Sequence, residues 1–267
     1  LNKVITSPRE GINVVLDPNR LKKIVLIINR EKDKLKKKNI LSYISIGETK
    51  GFDKRSTCSS RKIWFSLELR QAWPILHPMI HNDRQVVILN KFGAQVDHNL
   101  FEIKPNRKRD IIPLLCVLSS TVSMLIKEFS GRVNLGEGAL KTEGIDIERL
   151  LVPKVFSKET KQSVLRLAKK YPDAKINSIF DDLQAVNVEE VALDKIRPDR
   201  RELDKIVMGE ILGLTDDEQL EVYRAVIDLV KSRLEKAGSF GNNPKTQNGI
   251  YVYELRKSAV ERVLKEP

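Results

Sequence analysis

The stretch Gly47-Glu48-Thr49-Lys50-Gly51-Phe52-Asp53-Lys54-Arg55-Ser56-Thr57-Cys58-Ser59-Ser60-Arg61-Lys62-Ile63-Trp64-Phe65 crowds five cations, three aromatic rings and two glycines into one short segment. Lys50, Lys54, Arg55, Arg61 and Lys62 are able to neutralise phosphates or fork onto a guanine edge, and Phe52, Trp64 and Phe65 to stack on a base displaced from its helix. None of these groups performs bond-making chemistry. The same residues also suit a plainer arrangement, in which the cations are a solvated face and Trp64 and Phe65 begin a strand packed into a core.

Around this segment the composition is that of a globular, strongly basic chain. With 267 residues and 41% hydrophobic content it is long enough to bury a substantial core, as one large domain or two small ones. A net charge of +12 and a pI near 9.6 point to a polyanionic partner, for which nucleic acid fits better than an anionic membrane surface. No basic amphipathic helix is flanked by a hydrophobic anchor, so no membrane partner is expected. The longest uncharged run, residues 111–126, contains Pro113 and several hydroxyl side chains and reads as a buried helix rather than a span. Cys58 and Cys116 are the only cysteines, and unpaired thiols in a reducing cytoplasm are expected. The first residue is Leu1, with no apolar signal core after it, which reads as an excised piece of a longer polypeptide.

Taken in order, residues 12–16 suit a strand between turn formers. Leu21, Ile24, Val25, Ile27 and Ile28 predict a helix that runs on through the lysine-rich residues up to 38. Strand signals follow over residues 40–103, chiefly 63–67 and 85–89, the latter meeting a turn at Asn90–Gly93 in what reads as a hairpin-rich sheet. His77 and His81 stand four apart, but Pro74 and Pro78 oppose a helix there and no further ligand completes a metal shell. One helix is predicted from Asp110 to Phe129, stopped by Gly131. The second half is helical. Its first helix is capped by Ser157, with Val164, Leu165, Leu167, Ala168 and Tyr171 inward; a second is opened by a box of Asp199 and Glu202, and a third by one of Thr215 and Glu218. The last two form a helical hairpin. The acidic start Asp216-Asp217-Glu218 would be repelled by phosphates, which argues against a DNA-reading helix-turn-helix.

Three blocks resemble, in order, the target-recognition region of adenine-specific DNA methyltransferases of restriction-modification systems, including type II-like fused restriction and modification enzymes. The first is Gly51, Phe52, Lys54, Arg55, Arg61, Lys62, Trp64 and Phe65, followed by Asn99, Phe101 and Ile103. The second is Asn134-Leu135-Gly136-Glu137-Gly138-Ala139-Leu140-Lys141 with Asp146 and residues 150–153. The third is Arg200-Arg201-Glu202-Leu203-Asp204, Gly213-Leu214-Thr215 and Glu221-Val222-Tyr223-Arg224. The resemblance covers residues 40–236 and implies an α+β protein: a connecting segment over 1–35, a sheet-containing DNA-recognition domain over 36–155, a mainly helical domain over 156–237, and a linker and C-terminal segment over 238–267.

It further implies that Lys50, Lys54, Arg55 and Arg61 contact phosphates or guanine edges of double-stranded DNA. Phe52, Lys62 and Trp64 join that surface, Trp64 being equally suited to the core, and Asn134, Gly136, Gly138 and Lys141 clamp the backbone. A plain turn at these glycines is the alternative from the residues alone. Adenine methylation needs an (Asp/Asn)-Pro-Pro-aromatic tetrapeptide and a cofactor-binding glycine turn; there is no Pro-Pro pair here, and neither Gly93 nor Gly136-Glu137-Gly138 has the strand-turn-helix setting. No cofactor is therefore expected on this chain. S-adenosylmethionine is implied for a catalytic methyltransferase domain elsewhere in the parent polypeptide, which is also the implied partner. Asp173-Ala174-Lys175 matches half of a nuclease motif, without the preceding acid that would complete it. A basic helical scaffold that docks an acidic protein is the competing function.

Overall fold

The computed structural model describes residues 2–133, 138–150, 152, 158–171 and 174–238. Its strands are β1 (Asn2–Ile5), β2 (Ile24–Val25), β3 (Ile75–Pro78), β4 (Ile80–His81), β5 (Ile88–Leu89), β6 (Gln95–Val96), β7 (Leu100–Ile103) and β8 (Leu140–Lys141). Its helices are α1 (Lys38–Thr49), α2 (Ser56–Ser59), α3 (Ile111–Ser119), α4 (Thr121–Ser130), α5 (Gly144–Glu148), α6 (Lys158–Lys170), α7 (Ile179–Leu183), α8 (Pro198–Asp204) and α9 (Asp216–Lys236). Short strands concentrated in the first half and helices that dominate the second make an α+β protein.

The strands form three small sheets, in the orders β2-β1-β6, β5-β3-β7 and β4-β8. β1 is antiparallel to β2, with Asn2 opposite Val25, and parallel to β6, with Val4 opposite Gln95. β3 is the centre of the second sheet and carries Leu76 between Ile88 and Glu102. Residues 12–14 extend alongside residues 174–176: Val14 N–H donates to Ala174, Ile176 N–H donates to Ile12, and Asn13 lies opposite Lys175.

The predicted helix over residues 21–38 is not present. The β-branched pair Ile24 and Val25 instead takes the free edge of β1, where an extended backbone finds donors and acceptors that an isolated helix turn would not. Helix begins at Lys38, where the predicted helix was to end, and runs to Thr49 through residues read as strand, because Ile40, Ile44 and Gly47 recur at helical spacing and face inward. Residues 63–67 turn rather than run straight, with Ser66 N–H bonded to Ile63 and Leu67 N–H to Ile28. The turn at Asn90–Gly93 forms, with Gly93 at φ +68, yet β5 and β6 on either side join different sheets and make no hairpin. A two-residue strand is too short to hold its neighbour once β1 and β3 offer longer partners.

The predicted single helix over 110–129 is broken by 67° between α3 and α4. Ser120 is extended, at φ −70 and ψ 159, and its Oγ accepts from the Ser123 N–H to cap α4. Breaking a buried helix orphans backbone groups on both sides, and α8 supplies what they lack. Arg200 donates to the Ser119 carbonyl at 2.6 Å, while the Thr121 N–H and hydroxyl donate to Asp204 at 2.9 and 2.6 Å. A cation thus meets the C-terminus of α3 and an anion the N-terminus of α4, each at the end its charge favours. Asp182 holds Arg200 through both Nε and Nη2, at 3.0 and 2.8 Å. No single helix among the described residues is long and apolar enough to cross a membrane.

In the helical half, Val164, Leu167 and Tyr171 of the first helix are buried, but Leu165 is 61% exposed, on the opposite face. Ser157 and the side chain of Ala168 lie outside the described residues. Asp199 does not cap α8: the N-cap is Arg197 with Pro198 first in the helix, a position that needs no N–H, and Asp199 turns its carboxylate to Arg200 N–H and Arg197. α8 continues as a π-helical turn over Lys205–Ile211, closed by Gly213 at φ +71. The box at Thr215 and Glu218 forms as expected, and α9 buries Tyr223, Val226, Ile227 and Val230 against α4 and its surroundings. Asp216, though largely exposed, accepts from the buried Arg201 at 2.5 Å, so the acidic start of α9 is tied to the protein's own cation. One hydrophobic cluster runs from Ile5 to Leu234, and no residue between Leu21 and Ile75 belongs to it. The segment with the basic aromatic stretch is therefore appended to the core.

Candidate nucleic-acid interface

The stretch over residues 47–65 is shaped by how α1 ends. Gly51, at φ +69, lets its own N–H reach Glu48 and the Phe52 N–H reach Gly47 at 2.9 Å, the paired bonds of a Schellman stop. Phe52 then opens a tight turn, closed by Arg55 N–H on the Phe52 carbonyl at 3.3 Å. That turn lays the Arg55 guanidinium over the Phe52 ring, 4.4 Å from its centroid. After α2 the chain doubles back, and Trp64 lies across Gly47 so closely that a methyl group there would sit 2.5 Å from the indole. Phe65 meets Trp64 edge-on at 5.6 Å.

These turns border an open groove of about 1100 Å³, floored by β2, β1, β6 and α1 and walled by residues 64–70. Lys50, Phe52, Arg61 and Trp64 line it, and Arg55 stands over the ring of Phe52. Sequence reasoning missed Lys23, Tyr43 and Arg70, which also line it. Their signal lay in apolar residues with no inward partner, since Ile24 is 53%, Tyr43 64% and Ile46 52% exposed.

Charge is distributed unevenly around this groove. Lys50, Lys54, Arg55, Arg61 and Lys62 are all exposed and none meets a carboxylate among the described residues; Arg61 makes only a 3.3 Å bond to the Ser66 carbonyl. The groove lining also contains two acids, Glu68 and Asp97, and beside it Glu48 is held by Lys32 at 2.7 Å and by the Trp64 indole N–H at 3.4 Å. The Lys32 bond, with Trp64 second, holds its carboxyl below the usual range, so it stays ionised and tethers the tryptophan. Trp64 is thus half-buried, packed on one side and open to the groove on the other.

The second block falls elsewhere. Asn134 and Gly136 lie outside the described residues. Gly138, at φ +68, faces α9 rather than the groove: a Cβ there would meet the Arg233 carbonyl at 2.8 Å. Lys141 pairs across β8 with Ile80 and its ammonium meets Glu143 at 2.7 Å. Gly93 joins two strands of different sheets with no helix following, which is not the setting of a nucleotide cofactor. Asp173 lies outside the described residues, and its neighbour Lys175 is opposite Asn13.

Beneath β4 lies a buried basic cluster. The His77 and His81 rings are 4.7 Å apart, His81 Nε2 is 3.2 Å from Thr142 Oγ1, and Lys127 Nζ is 3.2 Å from His81 Nδ1. Burial first, then nearby cations, pushes both imidazoles well below their ordinary value and the Lys127 ammonium down to about 7. No group of three or more His, Cys, Asp or Glu side chains suited to a metal ion is present among the described residues.

In fold, the chain is similar to the type IIG restriction endonuclease BpuSI, with a TM-score of 0.56 and 12% identity. The match covers 89% of this chain and 26% of that one, so the present chain spans about a quarter of the larger protein. The chain belongs to the family of the C-terminal domain of the type II methyltransferase M.Eco57I, whose model matches residues 16–186. That is an enzyme family of restriction-modification systems. No curated protein sequence matches the chain.

Proposed function

We propose that this chain is the part of an adenine-specific type II methyltransferase that recognises a target sequence in double-stranded DNA. The chemistry, with its S-adenosylmethionine, is carried by a separate catalytic domain of the parent polypeptide. One observation carries the reading: five exposed cations, none with a carboxylate partner among the described residues, sit on the turns that border an aromatic-lined groove, Lys50 and Arg61 in its lining, on an appended segment. Other surface cations do find carboxylates, as Lys34 does in Glu31 and Arg224 in Glu221. Unpaired cations around flat rings suit a polymer of phosphates and bases, since phosphates set position and base contacts set sequence.

The test is binding of the full chain to a randomised duplex pool at low and physiological salt, with the retained DNA sequenced. Enrichment of one short motif and steep weakening with salt are expected, roughly four to five powers of the salt concentration for about five neutralised phosphates. The R55E/R61E variant should lose binding while keeping its circular dichroism spectrum. Retention by an acidic protein surface without any DNA preference would replace this reading with the scaffold.

A further inference from the structure

Resting on that DNA-recognition reading, we propose that Arg55 is the residue that reads a guanine in the target, with Phe52 as the platform that orients it. The five cations of the stretch are not equivalent. Lys50, Lys54 and Lys62 end in ammonium groups on flexible stems, which act as point charges with no preferred plane. Arg61 spends one of its two terminal nitrogens on the Ser66 carbonyl. Arg55 alone among them has its guanidinium laid on a ring, 4.4 Å from the Phe52 centroid, with no hydrogen-bond acceptor or carboxylate among the described residues taking its N–H groups.

That placement has a chemical meaning. Stacking occupies the faces of a guanidinium and leaves its edge, where the donors are. Two parallel N–H groups on that edge match the O6 and N7 acceptors of guanine in the major groove, the one base edge there that offers two acceptors side by side. The platform is itself positioned by the backbone. Gly51 at φ +69 and the Phe52 N–H bond to Gly47 set the ring at the end of α1, and the Arg55 N–H bond to Phe52 sets the arginine above it. Less freedom is then lost when the fork closes on a base than for an arginine on an open loop. Arg55 is also the N-cap of α2 and is exposed, with its side chain making no capping bond.

The experiment compares wild type, R55A, R55K and F52L in the same duplex selection, followed by titration of the enriched site carrying 7-deazaguanine, which lacks the N7 acceptor. Wild type is expected to enrich a motif with an invariant guanine, and 7-deazaguanine at that position to weaken it about 10-fold. R55A and R55K should relax that one position, keep the other positions of the motif, and bind the normal and deaza sites equally. F52L should show an intermediate preference at the same position. A motif without guanine overturns the assignment, as does an R55A protein that binds every sequence more weakly with the motif unchanged, since Arg55 is then a phosphate contact while DNA recognition stands. Absence of any duplex binding by wild type overturns both this inference and the function beneath it.

Discussion

The Arg233 guanidinium closes on the Glu128 carboxylate through two parallel bonds, at 2.9 and 2.8 Å, with both side chains only 4% exposed. The same guanidinium donates to the carbonyls of Gly138 and of Asn82, the latter at 2.9 Å. One α9 side chain therefore ties α4, the β4 turn and the approach to β8 together. Removing one member of a buried pair strands the other charge away from water. Arg233→Met is expected to cost about 3 to 5 kcal/mol in urea unfolding. Restoring neutrality with Glu128→Gln in the same chain should recover part of that loss; equal stabilities for the single and double variants would show that the pairing is not what holds α9.

Gly47→Ala places a methyl group 2.5 Å from the Trp64 indole, which has to move. The expected cost is about 1 to 3 kcal/mol. Because Trp64 and Trp73 are the only tryptophans, intrinsic fluorescence reads the displacement directly. DNA binding should weaken with it, since the groove loses one wall.

Gly138→Ala separates packing from phosphate contact. Its φ of +68 and the Arg233 carbonyl 2.8 Å from the added Cβ predict a loss of about 1 to 3 kcal/mol in thermal or urea unfolding. The slope of DNA affinity against salt should stay as in wild type. A reduced slope in a stable variant would return Gly138 to the DNA contact set.

Stability should rise with pH between about 7 and 9.5. Burial lowers the Lys127 ammonium to about 7, whereas in the unfolded chain it keeps its proton up to the ordinary value of 10.5. Over that window the unfolded state binds more protons, so raising the pH favours the fold, and the full cost of the buried charge is present below pH 7. His77 and His81, held well below 6.5 by burial and by Lys127, act in the same sense: stability falls as the pH drops below 6.5, where only the unfolded imidazoles take up protons. Melting temperatures across pH 5 to 9.5 test this. Lys127→Met should flatten the alkaline part and leave the acid loss.

Helical spacing and capping made the second half legible. Thr215 and Glu218 announce α9, whose inward residues are the ones the 3.6-residue period selects, and Gly131 ends α4 as expected. The first half was obscured by long-range partners. Ile24 and Val25 have a helical pattern on paper, and only the free edge of β1 decides against it. The serine-rich middle of residues 110–129 gave no sign of a break, because the groups that stabilise it, Arg200 and Asp204, lie about eighty residues away. At the interface, composition located the basic stretch, but not the groove's other wall or the contrast between Arg55 and its neighbouring cations. That contrast depends on a left-handed glycine and a stacked ring, which no count of charges reveals.

The alignment of residues 12–14 with residues 174–176 has a consequence in time as well as space. A ribosome adding about 5 to 20 residues per second needs roughly 10 to 30 s to travel from one partner to the other. Throughout that interval Val14 and Leu16, both destined for the core, have no finished surface to close against. Completion of the core therefore waits on the late appearance of the residues that close it, 174–176 and the helices that follow.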